Sequence, residues 1–169
     1  PPRVRRQRQM CIRDRNISVE KALGSLLAKN DIKVSFVESI TGGLLSSLLV
    51  KNPGISKYFI GSDIVYGNQA KSILLNDNDI DFENWEELCV NLTHSSLEKY
   101  KTDICLTILG EAGPLSSSQY SVGTIFICIS NGDKTVITDH KMNGNREEIL
   151  QRSANKAQWE LIKFIKNLY

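Results

Sequence analysis

Residues 32–52 read IKVSFVESITGGLLSSLLVKN, and this stretch decides the fold. Its β-branched and apolar start, at 32–37, predicts a buried strand. The apolar run LLSSLLVKN predicts a helix that begins near Thr41. The polar turn between them, with two glycines, therefore follows the carboxyl end of a core strand. Open α/β sheets bind ligands at that end of their strands.

The rest of the chain alternates helices with strands. Longer helices are predicted at 16–29, 41–51, 82–100 and 145–168, with Ser18 as an N-cap for the first and Asn68 as the cap of a short extra helix. Further strands are predicted at 58–66, with a bulge at Gly61, and at 103–109, 122–130 and 134–142. Asn131-Gly132-Asp133 indicates a hairpin between the last two strands. This order predicts an α/β fold: a three-layer α/β/α sandwich with a mixed β-sheet, in one domain.

Composition narrows the class of protein. The chain has 169 residues, 41% of them apolar and 24% charged, as is usual for a globular domain. No apolar run approaches the roughly 20 residues of a membrane helix, and the N-terminus lacks the apolar core of a secretory signal, so no membrane partner is expected. The cysteines are widely spaced, at Cys11, Cys89, Cys105 and Cys128. This spacing argues against a zinc site or a redox dithiol and favours a reducing, cytoplasmic compartment.

Residues 1–15 differ from the remaining sequence. They contain six arginines and one aspartate, a net charge of +5; since the whole chain carries +2, the other 154 residues carry −3. We predict that residues 1–15 are a non-native segment or a disordered basic arm, and that the domain spans 16–169. MCIRDR at 10–15 looks like a translated sequencing adapter, while a nucleic-acid-binding arm and an arginine-rich targeting sequence are the alternatives. The domain body itself predicts no nucleic-acid partner.

The turn Glu38-Ser39-Ile40-Thr41-Gly42-Gly43 is the first candidate site. The helix after it directs N–H groups and the positive end of its dipole toward the turn, and glycine lets the backbone approach an anion closely. A phosphate or a developing oxyanion would be stabilised there. The alternative is that a serine or threonine before this helix only caps it.

The second candidate site is the run from Tyr66 to Lys71. Tyr66 ends a predicted strand and Lys71 lies in the first turns of the next helix, so both can face one cleft. Helix-end position and partial burial would lower the pKa of Lys71 and suit it to act as a general base. Ser56, just past Pro53-Gly54, could supply a nucleophile, because Ser–Lys pairs perform acyl transfer without histidine. The alternative is a solvated Lys71 beside an edge-strand Tyr66.

The stretch at 37–71 resembles the core of the CinA C-terminal domain family, the nicotinamide-nucleotide amidohydrolases. Members typically read ESCTGG, then PGSS, then TYSNEAK, where this chain has ESITGG, PGIS and VYGNQAK. Similar later motifs are GEAGP at 110–114, SVGT at 121–124 and GNREEI at 144–149. The resemblance covers about residues 16–169.

The resemblance implies hydrolysis of the carboxamide of nicotinamide mononucleotide to nicotinic acid mononucleotide and ammonia, with no metal or organic cofactor. It makes Ser56 the nucleophile, Lys71 its base and Tyr66 a proton relay. Arg146 would meet a phosphate or carboxylate of the small-molecule nucleotide. The implied substrate-binding residues are Glu38, Ser39, Thr41, Gly42, Gly43, Gly110, Gly113 and Arg146. The family also implies a homo-oligomer.

Several positions depart from the family pattern. Ile40 stands where members have cysteine, and Leu109 stands where they commonly have serine or threonine. Glu111 adds a negative charge near the implied phosphate pocket, which would weaken anion binding. Leu115 and three serines replace a glycine-rich stretch at 115–118, and the G-A-V-S element before the central helix is missing. The alternative function is therefore a catalytically weakened nucleotide- or partner-binding module linked to competence or DNA damage.

Overall fold

The computed structural model describes residues 17–169, so the prediction for residues 1–15 lies outside the described part of the chain. The helices are α1 (Val19–Asn30), α2 (Leu44–Leu49), α3 (Asn68–Leu75), α4 (Trp85–Tyr100) and α5 (Arg146–Lys166). The strands are β1 (Val34–Glu38), β2 (Phe59–Ile64), β3 (Ile104–Gly110), β4 (Thr124–Ser130) and β5 (Thr135–Lys141). A short 3₁₀ turn, Ile55–Lys57, precedes β2. The predicted order of elements is confirmed.

The strands form one open mixed sheet in the order β2-β1-β3-β4-β5. Strand β1 pairs in parallel with β2 and β3, whereas β4 and β5 add antiparallel strands. Because β1, β2 and β3 run the same way, their carboxyl ends meet at one edge of the sheet. This edge is called the carboxyl edge below.

Helices cover both faces of the sheet, as the apolar strand pattern requires. Val34 and Phe36 of β1 face a core that includes residues of α1, α2 and α5. Val37 of β1 faces the opposite core, formed with Leu88 and other residues of α4 and with α3. The fold is the predicted α/β/α sandwich. No helix within residues 17–169 is both long and apolar enough to cross a bilayer.

The structure corrects the start of α2. This helix begins at Leu44, three residues after the predicted start at Thr41. Gly42 and Gly43 have φ values of 56° and 101°, in the left-handed region that is incompatible with a right-handed helix. The two glycines therefore lengthen the turn instead of opening the helix.

The N-caps of α1 and α3 and the bulge in β2 also differ in detail from the predictions. Ser18 occupies the N-cap position of α1, but its side chain makes no capping hydrogen bond. Gly67 is the N-cap of α3, and Asn68 is the first helical residue. In β2 the register skips Ile60, next to the predicted bulge at Gly61.

Candidate active site

Most of the predicted site residues meet at the carboxyl edge. Ser39 follows β1 directly, and its N–H donates to the carbonyl of Ile108 in β3 at 3.0 Å. On the other side, the N–H of Val65, one residue before Tyr66, donates to the carbonyl of Glu38 at 2.8 Å. Ser39 is therefore held between the ends of β2 and β3, on the same edge as Tyr66.

The side chain of Glu38 lies beneath the turn with no exposed surface. Its Oε2 accepts hydrogen bonds from the Thr41 hydroxyl at 2.7 Å and from the N–H of Gly43 at 3.0 Å. The carboxylate also accepts bonds from the N–H of Leu45 and from the N–H and hydroxyl of Ser46. The Ser62 hydroxyl completes the set at 3.4 Å.

These bonds change which donors of the turn could meet an anion. The N–H groups of Gly43, Leu45 and Ser46, which were expected to face a ligand, are taken by the carboxylate of Glu38. That carboxylate supplies the negative charge that a helix N-terminus favours. The carboxylate of Glu38 therefore organises the turn from below.

The hydroxyl of Ser39 is available to meet a ligand. Ser39 is 8% exposed, and within residues 17–169 its hydroxyl has no hydrogen-bond partner. The hydroxyl of Thr41, by contrast, is bound to Glu38. In the same described part of the chain, the N–H groups of Ile40 and Thr41 have no acceptor. One hydroxyl and two backbone donors therefore lie next to one another.

Lys71 is buried rather than solvated, with 7% of its surface exposed. It lies one turn into α3, which starts four residues after the last residue of β2. Burial lowers the pKa of Lys71 by disfavouring its charged form, as predicted. Its Nζ donates to the Oδ1 of Asn68 at 3.2 Å. This hydrogen bond to Asn68 was not predicted, although the i, i+3 spacing of Asn68 to a helical lysine was a visible signal.

Tyr66 is joined to Arg146 across 80 positions of sequence. Nη2 of Arg146 donates to the Tyr66 hydroxyl at 2.6 Å, and Nη1 donates to the carbonyl of Gly113 at 2.6 Å. Arg146 is the first residue of α5, whose start is set by a capping box between Asn145 and Glu148. The guanidinium, predicted to meet a phosphate, is thus engaged with two protein groups.

Ser56 is not part of this arrangement. It is exposed in the 3₁₀ turn before β2, at the amino end of that strand, whereas Tyr66 and Lys71 follow the carboxyl end. Six residues of β2 at about 3.3 Å each separate the two ends by roughly 20 Å. Within residues 17–169, no hydrogen bond joins Ser56 to Lys71. Within residues 17–169 of a single chain, these two side chains lie at opposite ends of β2 and do not share the predicted cleft.

Comparison with known proteins identifies the family. The sequence model of the CinA C-terminal domain family matches residues 16–165. The chain belongs to the CinA C-terminal domain family. A "CinA-like protein" of Petrotoga mobilis is 32% identical over 157 residues, which cover 90% of this chain and 39% of that relative. A second, from Thermotoga neapolitana, is 34% identical over 153 residues, with 88% and 37% covered. The chain therefore spans less than two fifths of these relatives.

Solved structures share the fold of this CinA C-terminal domain. A CinA superfamily protein from Enterobacter cloacae superposes with a TM-score of 0.81 at 21% identity, covering 90% of this chain and 95% of that one. A superfamily protein from Klebsiella pneumoniae gives a TM-score of 0.83 at 17% identity, covering 88% and 96%. Sheet and helices are thus retained at low sequence identity.

Two departures from the CinA pattern have a structural explanation. Ile40 is 4% exposed and belongs to the core, where its Cδ1 would lie 2.7 Å from a Cβ placed on Gly110. The isoleucine that stands in place of the family's cysteine therefore packs into the core. Oε2 of Glu111, a residue only 8% exposed, accepts bonds from the N–H and hydroxyl of Ser117 at 3.0 Å and from the Ser118 hydroxyl. The acid and the serines that replace the glycine-rich stretch thus form one hydrogen-bonded unit.

Proposed function

We propose that this domain hydrolyses the carboxamide of nicotinamide mononucleotide, giving nicotinic acid mononucleotide and ammonia, with Ser39 as the nucleophile. The observation that carries the proposal is the placement of Ser39, Tyr66 and the buried Lys71 at one edge of the sheet. Family membership supports the reaction class, and this edge is where α/β sheets bind substrates.

Ser39 replaces Ser56 in the proposed mechanism because of its position. It follows β1 directly, next to the end of β2 that leads to Tyr66, whereas Ser56 precedes β2. Its hydroxyl has no partner within residues 17–169, so no existing hydrogen bond has to break before it reacts. A nucleophile also needs a base, and a lysine whose pKa is lowered by burial suits that role.

The steps follow from these groups. Lys71 accepts the proton of the Ser39 hydroxyl, directly or through the hydroxyl of Tyr66. The serine oxygen attacks the amide carbon, and the N–H groups of Ile40 and Thr41 donate to the oxyanion that forms. The C–N bond then breaks as the protonated Lys71 gives its proton to the amide nitrogen, which leaves as ammonia. Water attacks the acyl-serine ester, which releases the carboxylic acid and restores Ser39.

The test is ammonia release from nicotinamide mononucleotide by the wild type, Ser39→Ala and Ser56→Ala. We expect Ser39→Ala to lose at least about 10³-fold in kcat, as removal of an acyl-transfer nucleophile does. Ser56→Ala is the matched control and should stay near the wild-type rate. Loss of activity in Ser56→Ala alone would reject Ser39 and would require a second copy of the chain to bring Ser56 to the site.

A second candidate function is a binding module with little turnover. The observation that favours it is the bonded unit of Glu111 with Ser117 and Ser118, which places a carboxylate in the loop that leads to Gly113. Calorimetry separates the two functions. Binding of nicotinamide mononucleotide without release of ammonia would support the module, whereas turnover by the wild type would exclude it.

A further inference from the structure

We propose that Arg146 is a positioning residue that orients the hydroxyl of Tyr66 toward the reaction site, a role that rests on the proposed function. It differs from the phosphate-binding role that the family resemblance implies for Arg146. The structural basis is the 2.6 Å hydrogen bond from Nη2 of Arg146 to the Tyr66 hydroxyl.

The direction of this bond determines where the tyrosine proton can go. A guanidinium has five N–H donors and no acceptor, so the phenol oxygen must be the acceptor. The single O–H of Tyr66 is then left to donate to another group. Within residues 17–169 that hydroxyl has no second partner. The proton is therefore directed away from Arg146 and kept available for a group in the cleft.

Arg146 can hold the tyrosine because it is itself anchored. Its other arm donates to the carbonyl of Gly113, and the two arms of a guanidinium keep a fixed geometry. A side chain at Gly113 would not fit beside Val122, since a Cβ placed on this glycine would lie 2.7 Å from Val122. The capping box holds the start of α5. Tyr66 is 59% exposed, so this contact restrains a ring that is otherwise largely surrounded by solvent.

The two roles of Arg146 predict different kinetics. A phosphate ligand acts on substrate binding, so its removal would raise KM for nicotinamide mononucleotide and leave the rate with the unphosphorylated riboside unchanged. A positioning residue acts through Tyr66, so its removal would lower kcat for both substrates. Removal of such a positioning residue would also cause no further loss of kcat in a variant that already lacks the tyrosine hydroxyl.

The experiment measures ammonia release from both substrates by Arg146→Ala, Tyr66→Phe and the double variant. We expect Arg146→Ala to lower kcat by about 10- to 100-fold with KM changed less than about threefold, and the double variant to match Tyr66→Phe. Arg152→Ala is the matched control, because Arg152 lies on the same helix and bonds Asn143 and Glu148 instead. Losses that multiply in the double variant, or a rise in KM confined to the phosphorylated substrate, would overturn the proposal.

A second measurement does not depend on turnover. The ¹³C resonance of the Tyr66 Cζ, assigned by its loss in Tyr66→Phe, reports hydrogen bonding at the phenol oxygen. We expect it to shift in Arg146→Ala and to stay in place in Arg152→Ala. An unmoved resonance in Arg146→Ala would refute the contact. Absence of turnover in the wild type would instead reject the proposed function and leave the contact to be judged by this resonance.

Discussion

Glu38 accepts two hydrogen bonds from Ser46, one from its N–H at 2.9 Å and one from its hydroxyl at 2.5 Å. The bonds join the end of β1 to the first turn of α2. Together with the bonds from Gly43 and Leu45, they hold the turn that carries Ser39. A buried carboxylate with this many donors is a structural support for the neighbouring hydroxyl.

The substitution Glu38→Gln tests this support. Glutamine keeps the size of the side chain but replaces one acceptor oxygen by an NH₂ group, which faces donors it cannot pair with. We expect the free energy of unfolding to fall by about 2–4 kcal/mol, measured by urea denaturation, because buried donors lose their partner. Glu147→Gln, at an exposed position of α5, is the control and should change it by less than about 0.5 kcal/mol. Equal small effects would show that the carboxylate is dispensable.

The proposed base predicts the pH dependence of the reaction. Burial lowers the pKa of Lys71 from its ordinary 10.5, and only the neutral amine accepts a proton. We therefore expect kcat/KM to rise with pH and to level off above the pKa of Lys71, at a pH below 10.5. A pH–rate profile of the wild type measures this limb. A profile without an ascending limb would remove Lys71 from the role of base.

The same burial predicts that Lys71 lowers stability at neutral pH. Its folded pKa is depressed, so the unfolded chain binds more protons in the window between the folded pKa and 10.5, and stability increases with pH there. Lys71→Met should therefore abolish turnover without lowering Tm at pH 7, and its advantage should shrink as the pH rises through that window. Lys21→Met, at an exposed position of α1, serves as the control. A marked drop in Tm for Lys71→Met would indicate a structural role for the amine.

The Glu111 loop predicts energetic coupling between two positions. Oε2 of Glu111 accepts both the N–H and the hydroxyl of Ser117. A double-mutant cycle with Glu111→Ala and Ser117→Ala should give a coupling of about 1 kcal/mol in the free energy of unfolding, measured by urea denaturation. Either substitution removes the hydrogen bond between the Ser117 hydroxyl and Glu111. Ser121→Ala, in the same loop but bonded to Thr124 and Lys141, is the matched partner for a control cycle. Additive effects in the Ser117 cycle would show that Glu111 and Ser117 contribute to stability independently.

The buried cysteines predict low thiol reactivity. Burial raises the pKa of both Cys105 and Cys128 to about 11, so little thiolate is present near pH 8. We expect neither side chain to react with a thiol reagent in the native protein, and both to react in denaturant. Mass mapping of the labelled peptides checks this, and rapid labelling of either cysteine in the folded state would contradict it.

Local patterns were sufficient for much of the architecture. Hydrophobic periodicity and the glycine and proline breaks predicted the order of helices and strands, because buried faces repeat at about 3.6 or 2 residues. They also placed Ser39 and Tyr66 at strand ends, since a polar turn after a buried strand must lie at a sheet edge. The lowered pKa of Lys71 was correctly expected from its partial burial, which disfavours the charged form.

What the sequence alone determined is thus the α/β/α sandwich and the set of residues near strand ends, because both follow from interactions between neighbours in the chain. Only the tertiary structure decided which of them meet. The strand predicted at 58–66 already lay between Ser56 and Lys71, but spacing along the chain did not show that the end of β2 pairs beside Glu38 and Ser39. Nor did it show that Arg146 reaches Tyr66 across 80 positions, because such contacts depend on how strands and helices pack.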